Sequence, residues 1–361
     1  MKFLFLSGHA HLALDSSSQR ASGGAELQVA LLSLELVARG HEVVILAADT
    51  GQANGAVFRG VRILAGGRFD TGRPVDTLRA LPQVLRVVRR ERPDFVVVYG
   101  WTTWLYVLQK LRALVPFRLV FVCALDAEID GGFRHTNPVR GLLFERGMRL
   151  SDCRFAITNH QARLFRDKGM TCTVTRLLLA QTKSSRPDSK RIDLLWVARC
   201  HPVKRPHLFL DLAKRLPNAR CRMICSMQDE PLWQSVSARA RTLPNVDFPE
   251  AAPYRQIQRH FDEANIFVNT SEHEGVPNTF IHSGLGHTAI LSLVVDPDGM
   301  FQNFRAGVCA GGDFERLASE AAELLAKPGN LFAAQEESAR FVREWHENET
   351  NVQAFLGGLG R

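Results

Sequence analysis

One strand–turn–helix segment late in the chain constrains the fold more than any other feature. The apolar run Ala264–Val268 lacks alternation, as is typical of a strand buried on both faces. Glu274 and Gly275 follow, then Pro277, which suits a first helical turn, and helical spacing over Thr279–Leu285. This order places a carboxylate and backbone donors at the carboxyl edge of a parallel sheet, where such sheets bind ligands. An ordinary loop with a solvated Glu274 explains this segment alone equally well.

The same alternation of buried strands and amphipathic helices runs through the rest of the chain. The strands predicted in the first half are Phe3–Leu6, His41–Leu46, Val61–Leu64, Phe95–Tyr99, Leu119–Cys123 and Arg154–Thr158. Those predicted in the second half are Asp193–Val197, Cys221–Cys225, Val246–Phe248, Ile266–Val268 and Ala289–Leu291. Strands that alternate with helices predict an α/β fold. We expect two Rossmann-like domains, each with a doubly wound parallel sheet, facing a cleft.

A polar stretch separates the two series of strands. Gln181–Lys190 contains a proline and shows no hydrophobic period, which is typical of a hinge between domains. We therefore predict an N-terminal domain over residues 1–180 and a C-terminal domain over residues 181–343. A closing helix is predicted over Phe332–Phe355, and the last segment, about 344–361, is expected to pack back on the first domain.

Positive charge is concentrated in the first half of the chain. The whole chain carries a formal charge of +8, and residues 1–180 hold 24 Lys and Arg against 15 Asp and Glu. Basic groups attract phosphate-bearing lipid, a membrane surface or nucleic acid. Without an RNA-binding aromatic signature or helix-turn-helix spacing, we expect no nucleic acid partner. Two interpretations remain open for the arginines of this half: they bind an anionic membrane surface, or they form an ordinary soluble surface. The arginines in question are Arg79, Arg86, Arg89 and Arg90 and Arg134, Arg140, Arg146 and Arg149.

The cysteines and apolar runs indicate a cytoplasmic chain. Seven cysteines without a C-x-x-C pair are poor evidence for a disulfide framework or a zinc site and suit reduced thiols. The apolar run Phe3–Leu6 is too short for a signal peptide and is predicted to be the first strand. No apolar run approaches the roughly 20 residues of a membrane span.

Two short segments carry groups suited to a diphosphate. Gly23 and Gly24 open the first long helix, a weak phosphate-site signal because glycines also form plain loops. Arg199 lies at a predicted strand end and Lys204 where a helix begins. Two cations beside a helix N-terminus can neutralise the charge of a leaving diphosphate. Taken alone, the second segment also fits a solvated basic loop.

Four motifs of the chain, taken in order, are V-A-R, K-R-P, N-V-D-F and F-V-N-T-S-E-H-E-G-V-P-N-T-F-I. They resemble those of the retaining glycosyltransferases of the GT-B fold, family 4. The resemblance covers nearly the whole chain and implies sugar transfer from a nucleotide sugar with retention of configuration and without a metal. It implies that Arg199 and Lys204 hold the diphosphate and that Glu274 contacts the donor sugar. It also places Gly275, Val276, Pro277 and Asn278 near the sugar and phosphate, and Gly23 and Gly24 near the donor phosphates and the acceptor.

Two departures from the family pattern concern the donor site. His282 stands where the family has a second Glu that binds the ribose hydroxyls. A neutral imidazole accepts one hydrogen bond but loses the charge-assisted option, a loss of about 1.5–3 kcal/mol that weakens donor binding without abolishing it. His287-Thr288-Ala289 replaces the usual Gly-x-Pro. We expect a working enzyme, and a helix histidine without a ligand is the competing interpretation of His282.

A further departure lies in the first half of the chain. Asp126 stands near the position where family members often have a His, with Glu128 and Asp130 behind it. An acid there can orient or deprotonate an acceptor hydroxyl, and we include Asp126 among the catalytic candidates. Solvated loop carboxylates are the alternative, which we favour for Glu128. Two triplets resemble metal-binding sequences: Asp126-Ala127-Glu128 and Asp296-Pro297-Asp298. The second triplet suits a turn, and the cations Arg199 and Lys204 make a metal unnecessary.

These features together predict a cytoplasmic hexosyltransferase without a cofactor. It would move a sugar from a nucleotide-diphosphate donor, UDP in preference to GDP, to a glycan or lipid-linked acceptor in polysaccharide biosynthesis. The basic first half could hold it peripherally on the inner face of the cell membrane. The competing functions are a sugar-nucleotide epimerase or hydrolase of the same fold, and a catalytically silent partner subunit, which His282 and the lost Gly-x-Pro motivate.

Overall fold

The computed structural model describes residues 1–15, 23–67, 69, 74–180, 190–249 and 254–360. The chain forms two compact units, of which unit 1 comprises Met1–Ala180 and Asn348–Arg361 and unit 2 comprises Gln181–Glu347. The sequence prediction placed the first boundary at residue 180 and the return to unit 1 near residue 344. The predicted hinge lies, except for Lys190, outside the described residues.

Unit 1 contains an eight-stranded sheet with the order β3-β4-β2-β1-β5-β6-β7-β8. Its strands are β1 (Lys2–Leu6), β2 (Glu42–Ala47), β3 (Val57–Phe58), β4 (Val61–Ala65), β5 (Phe95–Tyr99), β6 (Arg118–Val122), β7 (Cys153–Ala156) and β8 (Thr173–Val174). All pairs are parallel except β3 with β4. The central strands are buried on both faces because helices cover the sheet, which explains their uninterrupted apolar runs.

The helices of unit 1 include one from the C-terminal end of the chain. They are α1 (His11–Leu14), α2 (Gly24–Ala38), α3 (Pro74–Glu91), α4 (Trp104–Leu111), α5 (Ala127–Asp130), α6 (Gly132–Thr136), α7 (Pro138–Arg149), α8 (Asn159–Asp167) and α16 (Asn348–Gly358).

The return of the chain to unit 1 is fixed by asparagines at the start of α16. The side chain of Asn351 accepts from Arg176 N at 2.8 Å, and that of Asn348 accepts from Leu179 N at 2.7 Å. Further along the helix, the ring of Phe355 packs 4.7 Å from that of Phe155. The predicted single helix over Phe332–Phe355 was therefore wrong, because a break after residue 345 lets the chain cross from one unit to the other.

Unit 2 contains a six-stranded sheet with the order β11-β10-β9-β12-β13-β14 and entirely parallel pairing. Its strands are β9 (Ile192–Cys200), β10 (Cys221–Met227), β11 (Val246–Asp247), β12 (Ala264–Asn269), β13 (Ala289–Ser292) and β14 (Gly307–Cys309). Its α-helices are α9 (Pro206–Arg215), α10 (Glu230–Ala240), α11 (Tyr254–Asp262), α12 (Asn278–Leu285), α13 (Met300–Phe304), α14 (Phe314–Ala326) and α15 (Pro328–Trp345). Short 3₁₀ turns cover Pro202–Lys204 and Pro297–Gly299.

Each sheet reverses its winding direction at one point. In unit 2 the chain runs outward from β9 through β10 to β11, then returns to β12 on the other side of β9. In unit 1 the corresponding neighbours are β1 and β5. Loops after such strand pairs diverge and leave a crevice at the carboxyl edge, which is where open α/β sheets bind ligands. The loops after β9 and β12 and after β1 and β5 are therefore the expected ligand positions of the two units.

Candidate functional site

The loops after β9 and β12 bring a lysine and a glutamate together. Lys204 Nζ lies 2.7 Å from Glu274 Oε2, and the two side chains are 19% and 17% exposed. Glu274 Oε1 accepts a 3.0 Å hydrogen bond from Asn269 Nδ2. Asn269 is the last residue of β12, is buried, and accepts in turn from Ser271 N at 2.9 Å. The carboxylate is therefore held from both sides and the ammonium is held against it.

Further hydrogen bonds around the same two loops fix this pair in place. Thr270 Oγ1 donates to Lys204 O at 2.6 Å and accepts from Trp196 Nε1 at 2.9 Å. Glu272 N donates to Val203 O at 2.9 Å. These bonds join the two loops at the switch point of unit 2, so the distance between Lys204 and Glu274 does not depend on side-chain contacts alone.

Arg205, the neighbour of Lys204, has a structural position. Its backbone is left-handed at φ 47°, and its guanidinium donates to Thr270 O at 2.8 Å and to Ser271 O at 3.0 Å. A guanidinium with a fixed fork of donors is suited to bridge two carbonyl groups. Of the two adjacent cations, Arg205 bonds to the backbone and Lys204 faces the carboxylate.

Arg199 is the other cation of the predicted donor site. It lies near the end of β9 and is exposed, and its side chain makes no ion pair or hydrogen bond within the part of the chain that the structure describes. Its charge is therefore available to a ligand at the carboxyl edge of the sheet.

The start of α12 presents backbone rather than side-chain groups. Gly275, Val276 and Pro277 are buried, and α12 begins at Asn278 with Pro277 as its N-cap and no side-chain cap. The first N–H groups of a helix lack intrahelical acceptors and carry partial positive charge. The segment that follows Glu274 thus offers anion-binding donors next to the ion pair.

His282 lies inside unit 2 on α12. Its ring packs 5.3 Å from that of Phe261, and its Nδ1 is 2.7 Å from Gln258 Oε1. Because Gln258 Nε2 donates to Asp262 and to the His282 carbonyl, Oε1 is an acceptor and Nδ1 carries the proton. Burial lowers the pKa of His282 to about 4, so the imidazole is neutral at pH 7. A ribose contact for His282 stays a prediction.

The residues that replace the family's Gly-x-Pro also make internal contacts. His287 has a left-handed backbone at φ 48°, and its Nδ1 is 2.9 Å from Glu336 Oε1. Thr288 is buried, and its hydroxyl donates to Phe261 O at 2.6 Å. Both side chains therefore support the packing of the turn after α12.

In unit 1, the structure places two predicted residues at the start of α2. Gly24 is the first residue of α2, and Gly23, which has no side chain to act as a cap, is its N-cap. Glu26 lies in the first turn of the helix.

Asp126 is the N-cap of the short helix α5 and is part of a polar group on the loop after β6. Its Oδ1 accepts from Gln161 Nε2 at 3.1 Å, and its Oδ2 lies 3.7 Å from His160 Nε2. A histidine at the start of α8, His160, therefore lies beside Asp126.

The interpretation of Glu128 as a solvated loop carboxylate was wrong. Glu128 is only 3% exposed, and Oε2 accepts from Ala124 N at 2.8 Å, with further backbone donors from Leu125 and Trp101. Burial raises the pKa of Glu128 to about 7 despite these donors. The Glu128 carboxyl group thus joins the loops after β5 and β6. In the sequence, only the position of Glu128 after a buried strand indicated such a role.

The two acidic triplets lie in different settings. Asp296 precedes the 3₁₀ turn Pro297–Gly299, which agrees with the predicted turn. Glu128 of the other triplet is enclosed by backbone donors. Within the described ranges no three His, Cys, Asp or Glu side chains are arranged to hold a metal ion. All seven cysteines are free thiols.

The predicted basic surface of unit 1 has a partly apolar character on α7. Arg79, Arg86, Arg89 and Arg90 are exposed on α3. On and beside α7, Arg134, Arg146 and Arg149 are exposed, and Val139 and Leu142 expose 73% and 49% of their surface. None of the described helices is long and apolar enough to cross a membrane.

Comparisons with known proteins identify the fold and a family match over part of the chain. The Glycosyl transferase 4-like domain family matches residues 23–179. No curated protein matches the chain significantly. Sucrose-phosphate synthase from Thermosynechococcus elongatus is similar in structure, with a TM-score of 0.81 and 14% identity over 99% of this chain and 98% of that one.

Two further solved structures share the fold at low identity. Anabaena HepE in complex with UDP has a TM-score of 0.71 and 14% identity over 99% of both chains. A putative UDP-N-acetylglucosamine 2-epimerase from Listeria monocytogenes has a TM-score of 0.66 and 15% identity over 99% of this chain and 95% of that one. The resemblance drawn from the sequence is confirmed: the chain has the GT-B fold, and its residues 23–179 match the Glycosyl transferase 4-like domain family.

Proposed function

We propose that this protein is a retaining glycosyltransferase that takes a hexose from a nucleotide-diphosphate sugar bound to unit 2. The observation that carries the proposal is the Lys204–Glu274 pair, built from two loops that meet at the switch point of the sheet. Such a crevice is the usual ligand position in this architecture. The glycosyl transferase 4-like domain of unit 1 supports the choice of reaction.

Each group of the site has a chemical task in this proposal. Lys204 and the unpaired Arg199 neutralise the diphosphate as the sugar bond breaks, together with the first N–H groups of α12. Glu274, held by Asn269, accepts hydrogen bonds from the donor sugar. With two cations and a helix end in these roles, the reaction needs no metal ion and no further cofactor.

The acceptor is proposed to bind unit 1, near Asp126. The Asp126 carboxylate, flanked by Gln161 and His160, accepts a hydrogen bond from an acceptor hydroxyl and orients it, and the leaving phosphate takes the hydroxyl proton as the new glycosidic bond forms. UDP is the proposed nucleotide, supported by the UDP in the complex of Anabaena HepE. Gly23 and Gly24 would lie near the donor phosphates and the acceptor.

The acceptor is proposed to be a glycan or lipid-linked saccharide of polysaccharide biosynthesis. Supporting this, exposed apolar residues Val139 and Leu142 lie on the same helix as the exposed cations Arg146 and Arg149. Apolar side chains flanked by arginines favour an anionic lipid surface. The protein would act in the cytoplasm, peripherally on the inner face of the cell membrane.

A donor screen with mass spectrometry tests the reaction. UDP-, GDP- and ADP-sugars are incubated with crude lipid and glycan acceptors, and the product linkage is read by NMR. We expect acceptor-dependent release of UDP and a product with the donor's anomeric configuration, both lost in Lys204→Ala and Glu274→Ala. Turnover that survives both substitutions unchanged would show that the site assignment is wrong.

The same screen separates the alternatives. UDP release that requires no acceptor would identify an epimerase or hydrolase, a class represented in this fold by the Listeria monocytogenes protein. No nucleotide binding at millimolar UDP, GDP or ADP would instead indicate a silent partner subunit.

A further inference from the structure

Two hydrogen-bond donors in unit 1 have no acceptor although both are buried. They are Nε1 of Trp101 and Nε of Arg140, and neither atom has a hydrogen-bond partner in the described chain. The two side chains are in contact, because the guanidinium carbon of Arg140 lies 4.4 Å from the centroid of the Trp101 ring. Buried polar atoms are nearly always satisfied, so two neighbouring orphaned donors call for a missing acceptor.

Other tryptophans of the chain show what a satisfied indole looks like here. Trp104 Nε1 donates to Phe69 O at 2.7 Å, Trp196 Nε1 to Thr270 Oγ1 at 2.9 Å, and Trp233 Nε1 to Cys225 O at 2.9 Å. Trp101 differs from these three because its indole N–H has no acceptor among the described residues.

Trp101 occupies the ligand-binding position of its sheet. It follows β5, the strand that lies beside β1 at the switch point of unit 1. Its own backbone N–H donates to the buried carboxyl group of Glu128, which fixes this loop against the loop that carries Asp126. The ring also stacks on Phe133, with centroids 5.2 Å apart and planes inclined at 30°. The indole N–H therefore has a fixed place at the edge where ligands are expected.

The backbone at Arg140 is held in place, and no described acid competes for its guanidinium. The next residue, Gly141, packs so closely that an added Cβ would lie 2.5 Å from the Arg134 Cα, which holds α7 tightly against α6. Glu145 pairs with Arg134, and Glu128 is occupied by backbone donors. No described carboxylate pairs with the Arg140 guanidinium.

We propose that Trp101 and Arg140 form an oxyanion-binding subsite in unit 1, with the indole N–H and the guanidinium as its donors. Both groups can only donate, and one carries a permanent positive charge, so the ligand that completes them is an acceptor and an anion. A carboxylate or a phosphate satisfies both requirements. Its assignment to an anionic group of the acceptor rests on the proposed function, whereas the binding of the oxyanion itself does not.

Indole N–H resonances give a direct test. Inorganic phosphate and, separately, glucuronate are titrated into ¹⁵N-labelled protein, with the Trp101 signal assigned from Trp101→Phe. We expect a saturable downfield shift of the Trp101 indole proton, because a new acceptor deshields it. The signals of Trp104, Trp196 and Trp233 are internal controls, since each already donates to a protein group.

Variants make the result specific to this pair of side chains. Arg140→Met should abolish the shift, whereas Lys110→Met, which removes an exposed cation placed over the Tyr106 ring, should leave it unchanged. An absent shift in the folded wild type, or a shift that persists in Arg140→Met, would overturn the proposal. It would then be a water, rather than an anion, that satisfies the two donors.

Kinetics connect the subsite to the acceptor. With an acceptor found in the donor screen, Arg140→Met should lower kcat/KM for an anionic acceptor about 10- to 100-fold, the value of one charge-assisted hydrogen bond, and leave the KM of the donor unchanged. A neutral analogue of the acceptor should show no such loss. If phosphate shifts the indole but acceptor kinetics are unaffected, the subsite stands and its assignment to the acceptor is wrong.

Discussion

Lys204 and Glu274 follow different strands of unit 2, yet their charged atoms lie 2.7 Å apart at the carboxyl edge of the sheet. The pair is mostly shielded from solvent, and each partner neutralises the other. A diphosphate that approaches Lys204 therefore competes with Glu274, and a sugar hydroxyl that approaches Glu274 competes with Lys204. Ligand binding at this site must open or share the pair.

The first prediction distinguishes the adjacent cations Lys204 and Arg205. Arg205→Met removes two hydrogen bonds to buried loop carbonyls, Thr270 O and Ser271 O, and should lower the free energy of unfolding by about 2–4 kcal/mol. Lys204→Met combined with Glu274→Gln leaves no unpaired charge in this pair and should cost about 1 kcal/mol or less. Urea unfolding followed by tryptophan fluorescence measures both, and equal losses would contradict the division of roles.

A second prediction concerns the edge of unit 1 where Glu91 pairs with Arg62 and Lys2. Hydrogen bonds from Arg62, with help from Lys2, lower the pKa of the Glu91 carboxyl to about 2. Because the folded pKa is below that of the unfolded chain, the stabilisation is complete above about pH 4.5 and is lost as the pH falls towards 2. Glu91→Gln should therefore cost about 3 kcal/mol at pH 7 and markedly less at pH 3. A cost independent of pH would refute this.

The third prediction concerns Glu128, whose pKa is shifted in the direction opposite to that of Glu91. Burial raises its folded pKa to about 7, so the folded protein binds an extra proton and loses stability as the pH rises from about 4.5 to 7. The neighbouring Cys123 and Tyr99 stay neutral there, since burial raises both of their pKa values. Relative to wild type, Glu128→Gln should gain about 3 kcal/mol between pH 5 and pH 8 in urea unfolding. A constant difference over that range would show that the carboxyl group is not protonated on folding.

The fourth prediction tests membrane association through α7. Vesicles containing phosphatidylglycerol should carry the protein upward in flotation, with less binding at high salt and none to neutral vesicles. Arg146→Ala should weaken binding about fivefold, near 1 kcal/mol per cation, and Leu142→Asp should weaken it further. Leu114→Asp, which alters an exposed leucine outside α7, is the control. Vesicle binding that changes neither with salt nor in Leu142→Asp would contradict membrane association through α7.

The sequence identifies the architecture because parallel strands buried on both faces produce apolar runs that are easily recognised. Short edge strands such as Val57–Phe58 and Thr173–Val174 are missed, since two residues cannot show a period. The break between α15 and α16 is also invisible. Asn348 and Asn351 are ordinary helix-surface residues until their bonds to unit 1 are known.

Side-chain partners explain the remaining differences between the predicted and the observed site. Lys204 and Glu274 were singled out separately, and only the sheet order brings the loops after β9 and β12 together. Glu128 was misread because a lone acidic residue in a loop is usually solvated, and its enclosure by three backbone donors depends on the neighbouring β5 loop. Trp101 carried no signal at all, because an unsatisfied indole can be recognised only from what surrounds it.

The most direct measurement is a calorimetric titration of UDP into wild type, Glu274→Gln, Lys204→Met and Lys214→Met, the last an exposed lysine on α9. Loss of the competing carboxylate should strengthen UDP binding about fivefold in Glu274→Gln, whereas Lys204→Met should weaken it about 10- to 100-fold and Lys214→Met should not change it. UDP affinity that is the same in all four proteins, or no UDP binding by the folded wild type, would contradict a diphosphate site at Lys204 and Glu274.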